Sequence, residues 1–157
     1  MIIETLNEAF ELLQKDTPIA KAQRALGEDL SLDAIYDASR HLMTPTPFTD
    51  YLHAKLKEIK ITKQACIEEG LIDPTIAFQV FAGLTHPTFN TLIRICYGGY
   101  FTLDETQQAI ELAGYKPLVD DNPRDSIIKT GLIFHKPISA INDDLYYIDP
   151  SLNLYLL

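Results

Sequence analysis

The stretch from Thr62 to Gly83 reads TKQACIEEGLIDPTIAFQVFAG and determines the expected fold. A first short helix is predicted over 62–70, followed at once by a tight turn. Asp73 then precedes a proline, which indicates a helix start because the carboxylate can cap the helix and proline is tolerated at its first position. The second helix is predicted over 74–82 and ends at the glycine. Two short helices joined by so tight a turn are typical of a helix-turn-helix.

Prolines and capping residues mark other helix starts along the chain. Several prolines follow a Thr, Asp or Asn that can cap a helix, and Thr102 and Glu105 have the spacing of a capping box. Glycines fall where helices are expected to end, and neither a hairpin turn nor a long alternating run predicts a strand. The predicted fold class is therefore all-α. Helices are predicted at about 2–14, 18–26, 31–42, 47–59, 62–70, 74–82, 87–97, 102–113, 123–134 and 137–146.

Length and composition indicate a folded protein rather than a disordered one. The 157 residues suit one domain, or one small domain with helical extensions, and a hydrophobic content of 46% is enough for a core. No apolar run approaches the roughly 20 residues that span a bilayer, and the first residues lack a signal-peptide pattern. Cys66 and Cys96 lie among apolar residues, so the sequence predicts no disulfide framework and a cytoplasmic location.

Domain boundaries are predicted from a proline-containing linker. Residues 43–47 read MTPTP, and residues before proline avoid the helical region. We therefore predict an N-terminal helical extension over 1–44, a helix-turn-helix domain over 45–118 and a C-terminal helical extension over 119–157. The apolar segment 152–157 is expected to dock, either on the protein's own core or across a dimer.

The charge of the chain argues against nucleic-acid binding. Its net charge is −9, and in the segment 62–86 one lysine stands against three carboxylates, so 1 − 3 = −2. Proteins gain most of their non-specific affinity for DNA from Lys and Arg contacts with phosphates. An acidic chain therefore needs a local basic face if it is to bind DNA.

Candidate DNA contacts follow from the helix-turn-helix layout, in which the second helix presents its first turn, and residues one turn further on, to base edges. In this chain those positions are Pro74, Thr75, Phe78 and Gln79. Gln79 could read adenine through its amide, and Thr75 could hydrogen-bond a base or touch a thymine methyl group. The start of the first helix commonly meets a phosphate. Its candidate residues are Thr62, Lys63 and Gln64, with Lys55, Lys57 and Lys60 at the edge of the contact area.

Each of these residues also has a structural interpretation. The three lysines of the preceding helix have the spacing of a solvated face. Gln79 could hydrogen-bond within the helix pair, Phe78 is more often a core residue, and Asp73 is better explained as a cap than as a base reader. Four apolar residues of the second helix are expected to face inward: Ile76, Ala77, Val80 and Phe81.

Several short stretches, taken in order, resemble one family. They are FTDYL at 48–52, ITK at 61–63, QVFAG at 79–83, His86-Pro87, LDETQ at 103–107, and LAGYKPL at 112–118 followed by Arg124-Asp125. Their order and spacing resemble the lambda-repressor-like (Xre-type) helix-turn-helix transcriptional regulators, and the resemblance covers most of the chain. It implies a five-helix core whose third helix reads DNA, with additional N- and C-terminal helices. It also implies a transcriptional regulator that acts on double-stranded DNA, commonly as a homodimer.

A second hypothesis is a protein-interaction adaptor that keeps the helix-turn-helix fold but has lost DNA binding. Members of the family usually have a basic or polar residue where Pro74 lies, and basic residues where this chain has Leu84-Thr85-His86. The segment before Arg124 is often basic too, whereas here it reads Asp120-Asp121-Asn122. The loss of a few phosphate contacts costs several powers of ten in affinity at moderate salt.

The sequence carries no pattern typical of a catalytic or metal site. Four histidines, His41, His53, His86 and His135, lack metal-ligand spacing, and the acidic pairs lack the ligand pattern of a calcium loop. Gly98-Gly99 is not followed by the Lys-Ser of a phosphate-binding loop. We therefore predict a protein that is not an enzyme, uses no metal or other cofactor, and has no membrane partner.

Overall fold

A computed structural model of the protein describes residues 43–154. This part of the chain contains seven α-helices and no strand, which confirms the all-α prediction. The helices are α1 (Pro47–Ile59), α2 (Lys63–Glu69), α3 (Pro74–Phe81), α4 (Phe89–Gly98), α5 (Leu103–Leu112), α6 (Pro123–Ile133) and α7 (Ile138–Ile148). None of these seven is long and apolar enough to cross a membrane. The helices predicted at 2–14, 18–26 and 31–42 lie outside the described residues.

Helix starts follow the capping signals in the sequence. Proline occupies the first turn of α1, α3 and α6. At α3, the Asp73 carboxylate accepts hydrogen bonds from the backbone N–H groups of Thr75 (2.9 Å) and Ile76 (3.1 Å), which confirms that it is a cap. At α5, Thr102 and Glu105 form the predicted capping box, with reciprocal hydrogen bonds of 2.9 and 3.1 Å. Such caps satisfy N–H groups that have no partner inside the helix.

Two helices differ by two residues from a predicted bound, and the other described bounds agree within one residue. α4 begins two residues later than predicted, because the hydroxyl of Thr88 accepts a hydrogen bond from the N–H of Thr91 (3.2 Å) and makes Phe89 the first helical residue. α7 continues two residues beyond its predicted end, to Ile148. The N–H of the next residue donates to the Leu145 carbonyl at 3.0 Å, which closes the last turn.

α4 lies at the centre of the packing. Its residues from Thr91 to Gly98 are all buried, and it contacts α2 and α5. α1 packs on α3 and α5, and the hairpin of α6 and α7 joins the core through α5. Cys66 and Cys96 are buried free thiols, as predicted, and burial raises the pKa of Cys96. Both cysteines are therefore core residues rather than reactive ones.

The C-terminal segment docks on the protein's own core as far as residue 154. The Leu154 side chain is 2% exposed, and its N–H donates to the Asn142 side-chain oxygen at 2.8 Å. The Asn90 amide donates to the Asn153 carbonyl at 2.9 Å. Docking in cis is thus the alternative that holds for residues 152–154.

The Glu105 carboxylate links the cap of α5 to α1. It lies 3.0 Å from the ammonium of Lys55, which also pairs with Glu58 at 3.2 Å. The hydrogen bond from the Thr102 backbone, together with the Lys55 ammonium, holds the pKa of Glu105 below its usual 4.5 although partial burial opposes this. The folded state therefore stabilises the charged form of this carboxyl group.

Replacing Glu105 by glutamine should remove a pH-dependent contribution to stability. Glutamine can still accept the Thr102 hydrogen bond, so the change Glu105→Gln removes mainly the charge. Because the folded pKa lies below the unfolded one, the charge stabilises the protein above about pH 4.5, and its contribution disappears as the pH falls through the folded pKa. We expect urea unfolding at neutral pH to show a loss of about 0.5–1 kcal/mol. If the parent protein and the variant differ in the free energy of unfolding by the same amount at neutral and at acid pH, the stabilising charge is not that of Glu105.

Candidate nucleic-acid interface

A groove of about 840 Å³ opens beside the start of α2. The residues before α1, the outer face of α1, the loop after it and the end of α3 form its walls. Its charged lining consists of three lysines and one carboxylate, so the formal charge is 3 − 1 = +2; these residues are Lys57, Lys60, Lys63 and Asp50. In a chain of net charge −9, the groove is a local basic face of the kind that a DNA contact requires.

The lysines of α1 fall into two groups. Lys57 and Lys60 are exposed and line the groove, and among residues 43–154 no carboxylate pairs with either. Lys55 is different, since its ammonium is neutralised by Glu58 and Glu105 and ties α1 to α5. Of the three lysines considered from the sequence, two therefore belong to the groove.

The backbone at the end of α1 brings α2 next to these lysines. Lys60 has a φ of 67°, in the left-handed region, and its N–H donates to the Lys57 carbonyl at 3.3 Å. The chain then reverses, and Thr62 caps α2 by accepting a hydrogen bond from the Ala65 N–H at 3.1 Å. Both Thr62 and Lys63 consequently line the same groove as the α1 lysines. The Gln64 amide instead donates to Glu68 within α2, at 3.0 Å.

The candidate base-reading residues of α3 differ in exposure. Pro74 is exposed, and Thr75 and Gln79 are half-buried. The Gln79 carbonyl accepts a hydrogen bond from the N–H of Leu84 at 2.9 Å, which closes the end of α3. None of these three side chains lines the groove.

Phe78 has to be removed from the candidate contacts. Its side chain is 0% exposed and packs in the core, so it cannot reach a base edge. The prediction that its apolar neighbours face inward is confirmed for Ala77, Val80 and Phe81, which are all buried, while Ile76 is partly buried against them.

One residue of the groove was not recognised in the sequence as part of a site. The His53 ring nitrogen Nε2 lies 2.8 Å from the Phe81 carbonyl, and the two rings are 5.7 Å apart. His53 therefore joins α1 to the end of α3 at the groove wall. The helical spacing of 50, 53 and 57 places three polar residues on one face of α1, and this pattern is the signal that could have identified the groove. Among residues 43–154 no three His, Cys, Asp or Glu side chains form a group that could hold a metal.

Comparison of the chain with protein-family models, with curated proteins and with solved structures gave no match. Any function therefore has to be inferred from the groove and from α3.

Proposed function

We propose that residues 45–118 are the helix-turn-helix module of a transcriptional regulator that binds double-stranded DNA. In this proposal the lysines of the groove contact phosphates, and α3 is directed toward the bases. The observation that carries it is the position of Lys57, Lys60 and Lys63 in one groove beside the α2–α3 pair. Modules of this kind commonly bind as dimers whose two copies read two half-sites, and we include a homodimer in the proposal.

The groove supplies the electrostatic part of binding. Each lysine that neutralises a phosphate releases counterions, which favours binding at low salt. Lys57 lies on α1, Lys60 is the residue that ends it and Lys63 begins α2, and all three lysines line the same groove. A nucleic acid carries several phosphates and can contact all three lysines at once, which favours it over a small anion.

In this proposal, the exposed side chains of α3 make the contacts that depend on the base sequence. Thr75 and Gln79 lie one turn apart, and both retain some exposure. The amide of glutamine can form two hydrogen bonds with adenine in the major groove, and the threonine side chain can contact a thymine methyl group. Pro74 at the first position of α3 would approach the DNA backbone without donating a hydrogen bond.

Neutralising the groove should weaken DNA binding and reduce its salt dependence. We expect the triple change of Lys57, Lys60 and Lys63 to glutamine to reduce the slope of log affinity against log salt by about three, since each phosphate contact contributes about 0.9. The measurement is a fluorescence-anisotropy titration with random duplex DNA from low to moderate salt.

The matched control changes three lysines outside the groove, at 116, 129 and 136, to glutamine and so alters net charge by the same amount. An equal effect in both variants would show that only net charge matters, and would remove the groove as the contact surface. A parent protein that fails to bind even at low salt would reject the DNA proposal.

The second candidate remains a protein-interaction adaptor that has kept the fold and lost DNA binding. The observation in its favour is the small exposed surface of α3, where Thr75, Ile76 and Gln79 are half-buried and Phe78 contributes nothing. This candidate predicts a folded protein without salt-dependent DNA binding, so the same titration separates the two functions.

A further inference from the structure

The turn between α2 and α3 contains a left-handed backbone conformation. Leu71 has a φ of 53°, in the left-handed region, and its side chain is 55% exposed. The Leu71 N–H donates to the Glu68 carbonyl at 3.2 Å, and this bond belongs to a common type of helix end in which the residue after the cap is left-handed. The turn has local hydrogen bonds, such as that from the Ile72 N–H to the Ile67 carbonyl at 3.0 Å. Two long-range contacts also meet at the residues just before Leu71.

The first contact comes from the loop between α6 and α7. The Nε2 atom of His135 lies 2.9 Å from the carboxylate of Glu69, the last residue of α2. The His135 ring is stacked against two tyrosine rings, Tyr97 and Tyr100, each with a centroid distance of 4.0 Å. Burial and the nearby Glu69 carboxylate raise the pKa of Tyr100. His135 and Tyr100 themselves have positive φ values, of 47° and 57°.

The second contact comes from the C-terminal segment through α4. Arg94 is 6% exposed, and its Nε donates to the Gly70 carbonyl at 3.0 Å. Its Nη1 donates to the Leu154 carbonyl at 3.4 Å. The Leu154 N–H in turn donates a hydrogen bond to the side-chain oxygen of Asn142 in α7. A chain of hydrogen bonds therefore runs from α7 to the residue preceding Leu71.

We infer that the C-terminal hairpin of α6 and α7, with the segment after it, anchors the α2–α3 turn through residues 69 and 70 and thereby sets the direction of α3. Glu69, Arg94 and His135 are then positioning residues for α3. An effect of these residues on DNA recognition rests on the proposed function, whereas the contacts between the hairpin and the turn do not depend on it.

The position of the contacts distinguishes this role from general packing. The body of the hairpin packs on α5 through α6, and a merely structural hairpin would stabilise the whole core. The contacts of His135 and Arg94 instead reach two consecutive residues, 69 and 70, at the turn. Their loss should therefore loosen the turn more than the rest of the fold.

The test is amide hydrogen exchange measured by NMR on the full chain carrying His135→Asn. Asparagine tolerates the left-handed region, so the backbone of the loop is preserved while the ring and its contact with Glu69 are removed. Lys136→Ala is the matched control, since Lys136 is the next residue in the same loop and pairs with Asp144 inside the hairpin. Glu69→Gln serves as a second variant that weakens the same contact from the α2 side.

We expect the amides of residues 70–72 to exchange about tenfold faster in His135→Asn. Amides of α5 should exchange as in the parent protein. Glu69→Gln should show a smaller change at the same amides, and Lys136→Ala should show none there. Unchanged exchange at 70–72, or an equal acceleration throughout the core, would overturn the inference.

DNA binding supplies a separate readout. If the parent protein binds DNA, His135→Asn should reduce its preference for a selected site over random duplex while leaving the salt slope unchanged, because the groove lysines are intact. A fall in the salt slope without loss of preference would contradict the positioning role. A parent that does not bind DNA rejects the proposed function alone, and the exchange data still decide the link between hairpin and turn.

Discussion

Gly98→Ala is expected to destabilise the protein by about 3 kcal/mol or more. Gly98 is the last residue of α4, where α4 crosses α2. A Cβ atom there would lie 2.0 Å from the Cys66 carbonyl oxygen and 3.0 Å from the Gly70 nitrogen, both of them backbone atoms. Backbone atoms cannot rotate away as a side chain can, so α2 and α4 would have to separate. Guanidinium unfolding monitored by circular dichroism measures the effect.

Gly114→Ala is the matched control for this prediction. Gly114 follows α5 with a φ of 83°, and a Cβ there would have nothing within 4 Å. Alanine should therefore cost only the left-handed conformation, about 1 kcal/mol. If the two substitutions cost the same, steric contact between α2 and α4 is not the reason that residue 98 is glycine.

Arg94→Met is expected to cost about 2–4 kcal/mol, since two buried carbonyl groups lose a charged hydrogen-bond donor. Methionine retains much of the length of the side chain, so the loss reports the hydrogen bonds to Gly70 and Leu154 rather than a large cavity. Equilibrium unfolding in urea gives the value. Arg94→Lys should recover little, because one ammonium cannot reproduce the fork of the guanidinium.

Arg124→Met provides the same chemical change in a more exposed place. Arg124 is half-buried, donates to the Asn90 side chain at 3.1 Å and lies 4.7 Å from the Phe89 ring centre. We expect a loss of at most about 1 kcal/mol. If Arg124→Met loses as much free energy of unfolding as Arg94→Met, burial does not explain the large effect expected at residue 94.

Helix positions could be predicted closely because their signals are local. α1 occupies 47–59 as predicted, since Pro47 suits the first position of a helix and Lys60 ends it. The capping box at Thr102 acts over three residues, so the sequence contains both partners. Where a competing local signal was overlooked, as with the Thr88 cap of α4, the predicted boundary was wrong by two residues.

The candidate interface was only partly predictable. The sequence indicates Lys57, Lys60 and Lys63 one by one, but their position in one groove depends on the reversal of the chain after α1. In α3, the helical period predicted that Ala77, Val80 and Phe81 face inward, but it left Phe78 open between the core and a base contact. Packing against the neighbouring helices decided that Phe78 is a core residue.

By itself the sequence determined the all-α class and the start of most described helices, because caps, prolines and glycines act within about four residues of one another. Only the tertiary structure decided which helices meet and which charges share a surface. The hydrogen bond between Glu69 and His135 joins residues 66 apart, and that between Arg94 and Leu154 joins residues 60 apart. No local propensity encodes such partners, because they meet only when the helices that carry them pack together.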